Sequence, residues 1–114
     1  MTRGKVVLVK FPFDDLLTSK VRPAVCLTNP IGSHSHVILA FISSRIPSDL
    51  LETDLIINTL HEDFGETGLK VTSTLRLHRL MTVTTLLCQR ELGELSPKIL
   101  GEVNNKPKKL FCIK

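Results

Sequence analysis

The sequence predicts an α+β domain of mainly β character: a strongly curved sheet or small barrel, closed off by one C-terminal helix. Three observations predict it. Short, β-branched apolar runs fill the chain before residue 95, separated by clusters of Pro, Gly, Asn and Asp. The clearest helix-start signal, Ser96-Pro97, comes near the end. The 114 residues fit one domain, read here as 1–114, with enough chain to bury a core without staples.

Lys5 to Lys10 reads as a buried strand, β-branched and bounded by lysine at both ends. Phe11-Pro12-Phe13-Asp14-Asp15 stops it, and a long loop follows to residue 21. Pro23 has no N–H for a ladder, so it is expected as the first residue of a strand running to Thr28. Asn29-Pro30-Ile31-Gly32 turns the chain into Val37–Ile42, and Ser43-Ser44-Arg45 marks where that strand leaves the core. Residues 46–66 carry six acids and no Lys or Arg. They are expected to form a solvated outer edge with a strand at Asp54–Asn58.

Thr74 to Leu80 alternates, which sets Leu75 and Leu77 on one face and Arg76 and His78 on the other, with Arg79 back on the first. A last strand covers Cys88–Leu92. In the helix, Ile99, Leu100, Val103, Leu110 and Phe111 form one apolar stripe, which Pro107 should kink or interrupt.

Composition removes several functions. There is no Trp or Tyr and there are five Phe, too few aromatics for a stacked-ring RNA platform or an aromatic-lined peptide groove. No apolar run is long enough to span a membrane or to make a signal-peptide core. Three cysteines without CxxC spacing read as reduced thiols of a cytosolic protein. His34 and His36 lack a third ligand at any metal-site spacing, so no metal or cofactor is expected. Serine-nucleophile, P-loop and dinucleotide motifs are absent. The net charge of +4, segregated along the chain, is compatible with a polyanion partner.

Arg22 is the sharpest candidate. The proline behind it forces an extended backbone, and its planar fork of donors matches a phosphate. A structural pairing with Asp14 or Asp15 is the competing reading. Arg76 and His78, two residues apart on one strand face, repel unless an anion sits between them or His78 is neutral.

These residues carry a resemblance. Arg3-Gly4-Lys5-Val6, Arg22-Pro23-Ala24-Val25 and Ile38-Leu39-Ala40-Phe41-Ile42-Ser43-Ser44 resemble the N-terminal strands of the MazF/PemK (Kid) toxins. Gly68-Leu69-Lys70, Leu75-Arg76-Leu77 and Leu92-Gly93-Glu94-Leu95-Ser96-Pro97 extend the likeness over nearly the whole chain. The resemblance implies an SH3-like barrel with a C-terminal helix, usually a homodimer and cytoplasmic. It also implies a metal-independent endoribonuclease that cuts single-stranded RNA, such as mRNA, and is restrained by a cognate antitoxin. By position Arg22 matches the catalytic arginine, and Ser43 stands where a threonine is usual. Arg76 and His78 match a basic residue and an aspartate of some members. RNA contacts are expected from Thr18, Ser19 and Lys20 on the loop, and from Ser44, Arg45 and Arg79. Ser43 lacks the methyl that stiffens threonine, and His78 replaces a carboxylate. An alternative is therefore a weak or inactive member that binds antitoxin or nucleic acid without cutting.

Overall fold

The computed structural model describes residues 2–11 and 20–112, with Phe11 and Lys20 as backbone only. Six strands follow in order: β1 (Lys5–Phe11), β2 (Lys20–Cys26), β3 (His36–Ser43), β4 (Asp54–Ile57), β5 (Ser73–Thr84) and β6 (Cys88–Glu94), and the helix α1 (Pro97–Leu110) closes the chain. Short 3₁₀ turns occupy Phe64–Thr67 and Thr85–Leu87. All ladders are antiparallel and the sheet order is β4-β5-β3-β2-β1-β6.

Both faces of the middle of this sheet are buried, which explains why β1 and β3 read as near-continuous apolar runs. Strand side chains alternate, so neighbours in sequence enter different cores. Val6, Val25, Ala40, Ile42, Leu75 and Leu77 pack with Ile99 and Val103 of α1. Val7, Val9, Ala24, Cys26, Val37, Leu39 and Val83 form the second core on the opposite face. Phe41, Met81, Leu87 and Cys88 pack against that second core.

Two glycines allow the turn at 64–68 to approach β6. A Cβ on Gly93 would lie 2.2 Å from the Glu66 carbonyl oxygen, and one on Gly68 would lie 2.1 Å from that of Leu92. Gly68 also has φ +75°, a conformation open to glycine at little cost. The turn at 64–68 therefore lies directly against the β6 backbone.

Three expectations need correction. β2 begins at Lys20, so Pro23 lies inside the strand rather than at its start. The β2–β3 ladder stops at Ala24, so a missing N–H at Pro23 breaks no bond on that side. The helix is not interrupted by Pro107, which stands in its last turns. There the Phe111 N–H donates to the Pro107 carbonyl at 2.9 Å. Lys106 and Lys109 also tie those turns to the Glu52 backbone and carboxylate, at 2.8 and 2.9 Å. Ile99 and Val103 are buried as the stripe requires, but Phe111 is 59% exposed. The Ser96 cap forms as read, its hydroxyl accepting from the Ile99 N–H at 3.3 Å.

Candidate functional site

Arg22 on β2 and Ser43 at the end of β3 line the same open groove, of about 930 Å³. Their strands are neighbours in the sheet, and the β2–β3 ladder ends just short of both residues. Arg45, Lys70 and Arg90 supply further positive charge along the groove, and Gly68 and Ser44 line it as well. Ser43 Oγ accepts the Arg45 N–H at 3.1 Å, which turns the chain sharply as it leaves β3.

A smaller pocket of about 220 Å³ shares Arg22, Ile42 and Ser43 with the groove and adds Phe41, Arg76, Arg79 and Met81. Strict alternation would send Arg79 to the face opposite Arg76. A register jump changes that. Ala40 opposes Leu80 but its neighbour Phe41 opposes Arg76, so residues 77–79 have no β3 partner in the ladder. The bulge returns Arg79 to the side of Arg76, where its guanidinium carbon lies 5.8 Å from the centre of the Phe41 ring.

The anion expected between Arg76 and His78 is Asp54. Its carboxylate is buried, accepts from Arg76 Nε at 3.1 Å, and lies 3.8 Å from His78 Nδ1. Its other oxygen accepts the Leu51 N–H at 2.9 Å. The ladder places Asp54 directly opposite Arg76. The acidic section is thus an edge strand as expected, but not a wholly solvated one: Asp54 is an internal counter-ion. His78 lines neither the groove nor the smaller pocket, and stands on the Asp54 side of Arg76.

Thr18 and Ser19 lie outside the described residues, as do Asp14 and Asp15, the expected structural partners of Arg22. Lys20 is described only as the first backbone position of β2. Lys70, Arg90, Phe41, Met81 and Asp54 were not picked out from the sequence. For Asp54 a signal existed: a lone carboxylate opening an apolar strand, in a chain with two cations on one face of another strand.

Thr74, opposite Ser43 in the ladder, has a buried hydroxyl without a hydrogen-bond partner among the described residues. The His34 and His36 rings lie 5.9 Å apart, and no group of three or more His, Cys, Asp or Glu gathers among the described residues. No described helix is long and apolar enough to cross a membrane.

The fold is a curled antiparallel sheet with one C-terminal helix and a cationic groove on its strands. Residues 2–111 match the model of the PemK-like, MazF-like toxins of type II toxin–antitoxin systems, and the chain belongs to that family. Solved structures agree on the fold. The Mycobacterium tuberculosis toxin MazF-mt6 is 16% identical, with 96% of this chain and 98% of that one aligned at a TM-score of 0.74. A mycobacterial endoribonuclease in complex with its cognate antitoxin is 14% identical, with 100% and 97% aligned and a TM-score of 0.76. MazF from the Deinococcus radiodurans MazE–MazF structure is 18% identical, with 100% and 98% aligned and a TM-score of 0.74. A search of curated protein sequences found no match.

Proposed function

We propose that this toxin is a cytoplasmic, metal-independent endoribonuclease acting on single-stranded RNA, works as a homodimer, and is neutralised by a cognate antitoxin. The observation that supports this best is the meeting of Arg22 and Ser43 from adjacent strands in one groove flanked by Arg45, Lys70 and Arg90. A chain of phosphates needs such a line of cations.

RNA carries its own nucleophile. The 2′-oxygen attacks the adjacent phosphorus, the bond from phosphorus to the 5′-oxygen breaks, and the products are a 2′,3′-cyclic phosphate and a 5′-hydroxyl. The nucleophile's proton leaves to water, and the departing 5′-oxygen takes one up. Arg22 holds the non-bridging oxygens through its fork and stabilises the charge that builds there. The Ser43 hydroxyl donates to one of the same oxygens and fixes the phosphate in line. Arg76 lines the adjoining pocket and is oriented by Asp54.

A second reading rests on one observation: the described walls of both cavities contain no carboxylate and no imidazole. General acid–base assistance contributes about 10²- to 10⁴-fold. Without it the domain is a slow nuclease, or a module that binds antitoxin or nucleic acid without cutting. One experiment separates these. Purified protein is incubated with a single-stranded RNA oligonucleotide in EDTA, beside Arg22→Ala and the matching DNA strand. The nuclease reading expects cyclic-phosphate termini from wild type alone, and a DNA strand that binds but stays whole. RNA that is bound and left intact by wild-type protein and by Arg22→Ala alike rejects catalysis and leaves the binding module.

A further inference from the structure

The smaller pocket differs in chemistry from the groove beside it. Its floor is apolar, made by Phe41, Ile42 and Met81. Its cations are not simply cations. Arg76 has a buried carboxylate 3.1 Å from Nε, so its positive charge is largely balanced by a neighbouring negative one. Arg79 is packed over the Phe41 ring, 5.8 Å from its centre, which favours a flat guanidinium with one face toward the ring and one face away. Donors whose charge is already balanced, next to a flat cationic plane and an apolar floor, suit a nucleobase better than a second phosphate.

We propose that this pocket is a base subsite: it takes the nucleobase next to the phosphate held by Arg22 and Ser43, stacked on the Arg79–Phe41 pair and bonded through its edge to Arg76. The inference rests on the nucleic-acid reading above and adds a preference to it. The side-chain polar groups lining the pocket are guanidinium groups and the Ser43 hydroxyl, whose oxygen already accepts the Arg45 N–H, so the lining favours an edge that accepts. A guanidinium fork needs two neighbouring acceptors. Guanine has such a pair in O6 and N7. Cytosine has one in O2 and N3. In adenine the N6 amino group stands between N1 and N7 and a C–H between N1 and N3, and in uracil the N3–H stands between O2 and O4, so neither offers two adjacent acceptors on one edge. Guanine and cytosine are therefore preferred at this one position over adenine and uracil.

The test avoids cleavage. Short 2′-deoxy strands are made abasic at every position but one, and that position carries guanine, cytosine, adenine or uracil. All have equal charge, and binding is read by fluorescence anisotropy. Guanine and cytosine are expected to bind about tenfold more tightly than adenine and uracil. Phe41→Leu keeps bulk and loses the ring, and Arg79→Lys keeps charge and loses the plane. Each should flatten the ranking, read against the same variant's affinity for the fully abasic strand. Should either variant unfold, the wild-type ranking decides alone. Equal affinity for all four bases, with the abasic strand still bound, overturns the base subsite and leaves the proposed function standing. No binding of any strand removes both.

Discussion

Asp54 is where the structure makes its most demanding energetic statement. Its side chain is fully buried, and the Arg76 side chain it holds is 20% exposed. Breaking a buried ion pair from one side costs about 3–5 kcal/mol, because the remaining charge stays buried without compensation. In Asp54→Asn, Arg76 keeps a fifth of its surface in water and the new amide keeps an acceptor, so the lower part of that range or slightly less applies, about 2–3 kcal/mol. For a domain just over 100 residues a loss of 1 kcal/mol lowers the melting temperature by about 4 °C. The expected fall is then about 8–12 °C by circular dichroism. Arg76→Gln in the same background tests the pairing: the double variant should be more stable than the two single losses summed, by more than about 1 kcal/mol. A melting temperature within about 2 °C of wild type for Asp54→Asn, or additive losses, would refute the view that this carboxylate carries a charge for Arg76.

Other expectations follow from the same coordinates. Gly93→Ala places a methyl 2.2 Å from the Glu66 carbonyl oxygen and should destabilise by at least about 2 kcal/mol in urea titration, whereas Gly101→Ala, with nothing nearby, should not. Thr74→Val removes a buried hydroxyl without a partner among the described residues and should leave stability unchanged or raise it by up to about 1 kcal/mol. A loss larger than that means the hydroxyl is bonded. Burial pushes the Cys26 thiol up from 9.0 to about 11. A raised value means the folded state holds the proton more tightly, so this contribution is complete below about pH 9 and fades as pH rises toward 11. Denaturant titrations across that interval should show wild type losing more stability than Cys26→Ala, and parallel pH slopes would count against it.

The elements were legible in the sequence where a local rule acts alone. Lys5–Lys10 and Val37–Ile42 were placed by their apolar runs, and each lies within an observed strand, as does the expected last strand at Cys88–Leu92. Ser96-Pro97 started the helix because capping is decided within four residues. Where a neighbour decides, local reading failed. Pro23 looked like a strand start because the end of the β3 ladder at Ala24 is invisible in its own segment. Phe111 completed an apolar stripe on paper, but it stands 59% exposed.

By itself the sequence determined the mainly β class, the single closing helix and Arg22 as a candidate, because periodicity, proline geometry and capping act over a few residues; Ser43 joined Arg22 only through the family resemblance. Only the tertiary structure decided what surrounds that pair. A bulge in β5 carried Arg79 to the side of Arg76, and the pairing of β4 with β5 set Asp54 against Arg76. The reason is physical. Which side chains share a face depends on ladder register across strands distant in sequence, and one slipped register reverses what alternation predicts.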